Sequence, residues 1–521
     1  MAGRAQPVSA GPGAVAAFVA TAFILLPLVA VWQRADPGGA GLTPADWVAI
    51  RFTLTQAFLS ALFSLALAVP VARALSRRRF PGRNLLITLL GAPFILPVIV
   101  AVLGLLSVFG RAGWISDGLA LLGLPPVQIY GLHGVVLAHV FFNLPLATRL
   151  ILQGWQEIPA ERFRLAAQLG AGPAEVMRLL EWPMLRRILP GAFVVVFALC
   201  LTSFAVALTL GGGPRATTIE LAIYQAVLFE YDFDRAAFLA LIQIALTLVV
   251  AVFGFAVARS GGFGAGLDRP VQRWDARALP LKLLDCGFIL AAATFLILPL
   301  LAIVLAGLPG LLNLPHVVIE AAGLSLLVAA ASTIIMLLFA LPMAAALAVS
   351  TRRGTWIELA GLLGLAVSPL VIGTGLFILV FPLTDPGSVA LQVTACVNAL
   401  MALPFALRIL VPAARDAVSQ QGRLALTLGM SKVSFVRLVL LPRMRPQIGF
   451  AAGLCAALSM GDLGVIALFA DPQLATLPLQ VFRLMGSYQM QAASAAALVL
   501  LVLSVTVFWV LDRGGKRFAE A

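Results

Sequence analysis

The sequence predicts an all-α polytopic membrane protein of about twelve transmembrane helices, arranged as two parallel six-helix repeats. Of its 521 residues, 61% are hydrophobic and only 11% are charged, and the mean hydropathy is +1.05. Soluble proteins carry about 25% charged residues. A second observation is the series of apolar runs that reach the length of about 20 residues needed to cross a bilayer. The third is an internal repeat that relates the two halves of the chain.

The apolar runs divide into two sets of six. They lie near 13–32, 52–75, 84–109, 131–150, 188–210 and 236–257, and then near 284–308, 318–348, 356–381, 388–410, 447–470 and 491–511. The first run is longer than the apolar stretch of a usual signal peptide, so we expect a retained span. The predicted organisation is a first span with its outer loop (1–51), a first repeat unit (52–259), a linker with span 7 (260–316), a second repeat unit (317–511) and a tail (512–521).

The distribution of basic residues predicts the orientation. An even number of spans places both termini on one side, and most of the 35 Lys and Arg residues fall on that side, in segments such as 73–83, 149–187, 259–282 and 408–445. By the positive-inside rule this side is the cytoplasm. The net charge of +13 therefore reflects topology, and it does not indicate a nucleic-acid partner.

A polar loop between two apolar runs, residues 156–187, is predicted to fold as helix, break, helix. Pro159 suits the first turn of a helix, and Glu161 lies near the positive end of that helix. Gly170 is expected to end it, with a φ angle above zero. Pro183 is expected to end the second helix. Two short amphipathic helices on the cytoplasmic side indicate a docking surface for a protein outside the membrane.

The same pattern returns 259 residues later, in the loop 415–446. Nine residues are identical, with Arg164, Leu165, Ala166, Leu169, Gly170, Arg178, Leu179, Pro183 and Arg186 matching Arg423, Leu424, Ala425, Leu428, Gly429, Arg437, Leu438, Pro442 and Arg445. Upstream, at an offset of 272, Thr53, Ser60, Pro70 and Pro97 match Ser325, Ser332, Pro342 and Pro369. Because an even number of spans separates equivalent points, the halves are predicted to be related by an axis along the membrane normal.

Several kinds of chemistry are absent from the sequence. It has no GxxxxGK[ST] pattern, so we expect no ATP bound through a P-loop. His133, His139 and His316 lack metal-ligand spacing, and no Ser/His/Asp grouping is visible. The sequence therefore predicts neither an enzyme nor a protein that holds its own cofactor or metal.

The glycine placed 13 residues before a proline in each loop resembles the EAA loop of binding-protein-dependent ABC importer permeases. In that family the loop forms a coupling helix that docks into a cleft of the cytoplasmic ATPase. The resemblance implies ATPase-coupling roles for Glu161, Arg164, Leu165, Ala166, Gly170 and Pro183, and for Arg423, Leu424, Ala425, Gly429 and Pro442. One departure is clear: Arg-Leu stands in both loops where the family pattern has Glu-Ala.

Fusion of two such units in one chain resembles the permeases for ferric iron and for thiamine. The stretches LTLGGGPRATTIELAIYQA (208–226) and SMGDLGVIALF (459–469) are similar to the thiamine/thiamine pyrophosphate permease. This resemblance implies the type I ABC importer permease fold in a bacterial inner membrane. It also implies import of thiamine and its phosphate esters, an external thiamine-binding protein, and two ATP-binding cassette subunits that hold ATP and Mg²⁺.

Asp462 is the clearest ionisable residue deep in a predicted span, and Ser203 is its repeat counterpart. Either the Asp462 carboxylate attracts a cationic solute, with both positions on the solute path, or it fastens neighbouring helices. The predicted outer loop 211–235 is acidic, with Glu220, Glu230, Asp232 and Asp234 either solvated or facing a basic partner or a cationic solute.

Three alternatives to a thiamine importer remain. One is a ferric-iron ABC importer permease. Another is an ion-coupled secondary transporter, a class that usually carries several ionisable residues at mid-membrane. The last is a scaffold that transports nothing.

Overall fold

The computed structural model describes residues 7–35, 42–83, 86–87, 90, 96–211, 213–257, 273–350, 354–469 and 474–520, and all regular secondary structure within these residues is helical. Residues 260–272 of the predicted linker and the basic residues 352 and 353 lie outside the described residues. The all-α membrane architecture predicted from composition is confirmed.

The first half contains α1 Gly11–Arg34, α2 Pro44–Arg77, α3 Val98–Phe109, α4 Trp114–Ala120, α5 Leu132–Gln156, α6 Ala160–Gln168, α7 Pro173–Val176, α8 Trp182–Leu201, α9 Phe204–Leu210, α10 Ile219–Gln225 and α11 Phe233–Val257. The second half contains α12 Leu279–Gly307, α13 His316–Val349, α14 Gly354–Leu362, α15 Pro369–Val380, α16 Ala390–Thr427, α17 Lys432–Phe435, α18 Leu441–Arg443, α19 Arg445–Met460, α20 Gly464–Phe469, α21 Leu477–Gly486 and α22 Met490–Glu520.

The described residues contain ten helices long and apolar enough to cross a membrane, or eleven if the pair α14 and α15, bent by 91°, counts as one span. About twelve were predicted. The difference lies in the run 447–470, which forms the 16-residue α19 and then, after a break at Gly461–Leu463, the six-residue α20. Neither piece is a full span alone. Apolar composition sets the extent of the run, whereas Gly461 and Asp462 set the break inside it.

The prediction that Pro183 ends a helix is wrong. The chain passes from α7 through a π-helical turn, Met177–Glu181, directly into α8, so that Pro183 lies in the first turn of α8. The wider turn lets the Trp182 amide donate to the Met177 carbonyl, five residues back. A π turn of this kind re-phases the backbone just before a residue that has no amide hydrogen.

The second half repeats this arrangement at the same offset. A π turn, Val436–Leu440, precedes Pro442, and the Leu441 amide donates to the Val436 carbonyl. One difference follows from a single residue. Pro159 separates α5 from α6, whereas its counterpart Val418 lies inside the unbroken helix α16.

The first helix of each half packs against the other half. Helix α1 contacts α13 and α15, and helix α12 contacts α2 and α3. The approach is close because glycines face proline backbones. A Cβ atom on Gly375 would lie 2.3 Å from the carbonyl oxygen of Pro27, and one on Gly104 would lie 2.5 Å from that of Pro299. The repeat therefore exchanges its first helices between the halves.

Candidate solute cavity and coupling loops

The starts of four helices, α3, α9, α15 and α20, converge on one cavity between the halves. Its volume is about 340 Å³, within the range typical of small-molecule sites. Apolar side chains form most of the wall. The polar lining residues are His139, Asn143, Thr202, Ser203, Glu220, Ser368 and Asp462. A cavity with a few polar groups, placed where broken helices of two repeats meet, is the arrangement in which many transporters bind their solute.

The structure places both sequence-predicted path residues, Ser203 and Asp462, on the wall of this cavity. Ser203 lies at the break between α8 and α9. Its hydroxyl oxygen is 2.7 Å from His139 Nε2, and His139 Nδ1 is 3.1 Å from the hydroxyl oxygen of Ser60. Both nitrogens of the imidazole are therefore engaged by hydroxyl groups of the first half.

An equivalent polar cluster occupies the second half. The hydroxyl oxygens of Ser332 and Ser459 are 3.0 Å apart, and Asn398 donates to Ser459 Oγ at 3.1 Å. Ser332 and Asn398 are the counterparts of Ser60 and His139. Asp462 follows this cluster, and its Oδ1 accepts a hydrogen bond of 3.3 Å from the Gly464 amide at the start of α20. The hydrogen-bonded polar cluster is therefore present in both halves, whereas the carboxylate of Asp462 has no counterpart in the first half.

The burial of Glu220 on the cavity wall was not expected from the sequence. The acidic segment 211–235 was expected to be an outer loop, but residues Ile219–Gln225 form helix α10 and Glu220 is only 1% exposed. Ser368, from the second half, donates its hydroxyl to Glu220 Oε1. A signal was present in the sequence, because Glu220 stands alone within the apolar run Ile-Glu-Leu-Ala-Ile.

The other acidic residues of this segment are engaged near the surface. Asp234 pairs with Arg34 at 2.6 Å, and Glu230 pairs with Arg235. Asp232 accepts a hydrogen bond from the Arg235 amide at 2.9 Å. These contacts fix the start of α11, so this part of the expected acidic loop is braced by internal pairs.

Each coupling loop contains the same helix ending. Gly170 has a φ of +70° and Gly429 a φ of +66°, as the sequence predicts. In the first loop Gly170 donates to the Ala167 carbonyl and Ala171 donates to the Ala166 carbonyl, at 3.1 and 2.9 Å. The second loop makes the two equivalent hydrogen bonds, at 3.1 and 3.0 Å. This pair of bonds is the Schellman motif, which favours glycine at the left-handed position.

The predicted coupling residues lie mainly on the surface of the loops. Exposed are Glu161, Arg164, Leu165, Gly170, Pro183, Arg423, Leu424 and Gly429; half-buried are Ala166 and Pro442; buried is Ala425. Glu161 is in the first turn of α6. The structure thus brings together a charged and apolar surface on each loop.

Three exposed leucines recur at equivalent positions on the two loops. Their exposed fractions are 57%, 77% and 65% on the first loop and 60%, 68% and 66% on the second, for Leu165, Leu169 and Leu179 and for Leu424, Leu428 and Leu438. Contiguous exposed apolar side chains in a polar segment mark contact surfaces for other proteins. The two loops therefore present two similar sets of exposed leucines, which we call the docking patches after the role that the sequence predicts for them.

The last residues of the linker before α12 contact the first loop and restrain it. The Trp274 indole donates to the Ala171 carbonyl at 3.1 Å, and the Arg273 guanidinium lies 4.6 Å from the centre of the Phe163 ring. Arg273 also pairs with Glu181 at 2.6 Å and with Asp275 at 2.8 Å. We call these residues, Arg273 to Asp275, the linker clasp.

The clasp carboxylate stays ionised because of its neighbours. Burial by itself would raise the pKa of Asp275, but the hydrogen bond from Arg273 and the charges of Arg273 and Arg77 outweigh burial and lower that pKa below its usual range. The Arg77 guanidinium lies 3.4 Å from Asp275 and 3.8 Å from Glu181. The clasp therefore joins the first loop to the end of α2.

The second loop has a different support. A Cβ atom on Gly422, the counterpart of Phe163, would lie 3.1 Å from the Pro7 ring, so the N-terminal segment packs where the phenylalanine stands in the first loop. Arg443 donates to Gln420 Oε1 at 3.0 Å. Gln420 is the counterpart of Glu161. The two docking patches are thus similar in outline and differ in charge and support.

Comparison with known proteins gives a full-length match. The thiamine transport system permease protein ThiP of Salmonella typhimurium (strain LT2) is 39% identical over an alignment of 536 positions, which covers 100% of both chains. The chain belongs to the ThiP family of transport permeases. ThiP of Escherichia coli (strain K12) is 39% identical over 529 residues (98% of each chain), and ThiP of Brucella abortus (strain 2308) is 39% identical over 501 residues (93% of this chain and 92% of that one).

No protein-family model matches the chain. Membership of the ThiP family confirms the predicted ABC importer permease of the fused type, and it makes this chain a multi-pass transport subunit and not an enzyme.

Proposed function

We propose that this chain is the membrane-spanning subunit of an ATP-driven importer for thiamine, with the phosphate esters of thiamine as further solutes. The observation that carries the proposal is the 39% identity to ThiP over the whole length of both chains. The cavity supports it, since it has a suitable volume and two carboxylates for a solute whose thiazolium ring is cationic.

The proposed partners follow from the two docking patches. Two cytoplasmic ATP-binding cassette subunits bind the two coupling loops and hold ATP and Mg²⁺, because this chain supplies no P-loop. An external binding protein delivers thiamine on the opposite side. In a bacterial inner membrane the basic loops and both termini lie in the cytoplasm.

Movement of the loops is the proposed link between ATP and the cavity. When ATP closes the ATPase pair, each coupling loop moves as a rigid body. Rigid transmission requires that α7, the π turn and α8 form one continuous rod, which the structure shows in the first half. The far end of α8 is the break at Ser203, on the wall of the cavity. Motion of the loop is thereby delivered to the solute site.

Uptake by reconstituted vesicles tests the proposal. Vesicles with this chain, its ATPase and its binding protein are expected to accumulate labelled thiamine only when ATP is present on the cytoplasmic side. Omission of the binding protein is the control. Uptake that follows an ion gradient without ATP would establish a secondary transporter instead, and accumulation of ferric iron but not thiamine would establish the iron alternative.

A further inference from the structure

Two carboxylates from opposite halves line the cavity, that of Glu220 buried and that of Asp462 half-buried. Glu220 belongs to the first half and Asp462 to the second. One oxygen of each is satisfied, Glu220 Oε1 by Ser368 and Asp462 Oδ1 by the Gly464 amide. The second oxygens, Glu220 Oε2 and Asp462 Oδ2, are buried without a hydrogen-bond partner among the described residues. A buried carboxylate oxygen without a partner is costly unless a ligand satisfies it.

The remaining wall of the cavity suits an organic cation. None of the described lining residues is Lys or Arg. Phe142 and Phe204 line the same cavity as the acidic groups, and the Phe204 ring packs 5.1 Å from that of Tyr224. Aromatic faces attract positively charged rings. His139 offers no spare nitrogen, because Ser60 and Ser203 engage both.

The helix starts around the cavity act in the opposite direction, but they are weaker. Each of the two longer helices, α3 and α15, contributes roughly half a positive charge at its N-terminus, and α9 and α20 are short. Two carboxylates outweigh this contribution when both are ionised. The sum is then negative, and a cavity of that charge attracts a monocation and repels a pyrophosphate group.

The two carboxylates occupy positions that are not repeat equivalents. Thr53 Oγ accepts from the Ile219 amide at 2.9 Å, and Ser325 Oγ accepts from the Leu477 amide at 2.7 Å, which aligns α10 with α21. In this alignment Glu220 corresponds to Pro478, whereas Asp462 corresponds to Ser203. Because each carboxylate occurs once, the near-symmetric framework holds an asymmetric pair of acidic groups.

We propose that Glu220 and Asp462 together bind the cationic ring of the solute, and that this shared site favours free thiamine over its phosphate esters. This inference rests on the proposed function. It assigns to Glu220, for which the sequence left several alternatives open, the same task as Asp462. Ser368, at the bend between α14 and α15, donates a hydrogen bond to Glu220. A solute bound at Glu220 would therefore contact the first half directly and influence the second half through Ser368.

The test measures thiamine uptake in vesicles for Glu220→Gln, Asp462→Asn and the double variant, each with its ATPase and binding protein. Each single change is expected to raise the half-saturating thiamine concentration about tenfold, equivalent to roughly 1.4 kcal/mol, and to lower the preference for thiamine over its pyrophosphate. The matched controls Glu320→Gln and Asp385→Asn remove a carboxylate on the exposed surface and should change neither quantity.

Inhibition of thiamine uptake by fragments of thiamine shows whether the cavity recognises the charge of the solute or its shape. The free thiazolium half of thiamine should inhibit uptake by the wild-type chain, and the neutral pyrimidine half should not. If Glu220→Gln lowers membrane abundance, the charge-retaining Glu220→Asp takes its place and should keep the preference for thiamine.

The outcomes distinguish this inference from the proposed function. If the wild-type chain accumulates no thiamine, the proposed function fails. If the wild-type chain accumulates thiamine but both variants keep its half-saturation and its preference over the pyrophosphate, the cation site is wrong and the carboxylates only fasten helices. A dependence of wild-type uptake on sodium that disappears in the variants would assign the pair to an inorganic ion and also overturn the inference.

Discussion

The Trp274 indole nitrogen lies 3.1 Å from the carbonyl oxygen of Ala171 and donates a hydrogen bond to it. Trp274 lies shortly before α12 in the segment that joins the halves, and Ala171 directly follows Gly170 in the first coupling loop. The segment that connects the repeats is thus also a support for one docking patch. The described part of the second loop has the N-terminal segment in that place, with Pro7 against Gly422.

Trp274→Phe should loosen the first coupling loop only. Phenylalanine keeps the aromatic packing and removes the hydrogen bond, which is worth about 1 kcal/mol. Amide hydrogen exchange should therefore become about fivefold faster in residues 160–172, measured by mass spectrometry on the purified complex. Residues 419–431 of the second loop are the internal control. Unchanged exchange in both loops would show that the clasp does not restrain the loop.

Gly170→Val together with Gly429→Val should abolish coupling while the chain stays in the membrane. A Cβ atom at either position meets no neighbour, so the damage comes from the positive φ alone. A left-handed conformation costs roughly 1–2 kcal/mol for a residue with a side chain, and β-branching adds to this cost. Thiamine uptake should be lost at near-normal abundance. The paired Gly→Asn variants, which tolerate positive φ, should retain uptake, and full uptake by the valine pair would refute the assignment.

Leu169→Ser and Leu428→Ser should each weaken binding of an ATPase subunit. Both side chains are more than two-thirds exposed without the ATPase, at 77% and 68%, and burial of a leucine contributes about 1.5–3 kcal/mol. The double variant should retain far less ATPase in a pull-down from detergent. Leu312→Ser, at a leucine that is 92% exposed and outside both loops, is the matched control. Equal ATPase retention by the double variant, the Leu312→Ser control and the wild-type chain would exclude the leucines as anchors.

A lysine at equivalent positions of the two loops should weaken ATPase binding to different extents. Glu161→Lys removes a negative charge from the positive end of α6, whereas Gln420→Lys adds a positive charge within the continuous helix α16. We expect Glu161→Lys to weaken ATPase retention more. Pull-down at two salt concentrations measures this difference, because an electrostatic contact at an exposed site weakens with salt. Identical losses of ATPase retention for the two variants would mean that the ATPase subunits contact the two loops in the same way.

Local patterns predicted the repeat, most spans and the conformation of Gly170, because each depends on residues close in sequence. The solvated outer position that was one expectation for Glu220 is wrong for the opposite reason. Whether residues 219–225 face water is decided by contacts such as that with Ser368, 148 positions away. The prediction that a helix ends at Pro183 was wrong because a proline usually interrupts a helix. Here the preceding π turn lets the helix continue through the proline. The roles of the coupling residues stay predictions.

The exchanged first helices have a consequence for the order of synthesis. A ribosome releases α1 first, but the surfaces that receive α1, including Gly375 beneath Pro27, are made only after the whole first half. Until then the face of α1 around Pro27 is exposed to lipid. The first half in turn waits for α12 to cover Gly104. Neither half is a self-sufficient folding unit, so separate synthesis of the two halves should give stable protein only when both are present in the same membrane.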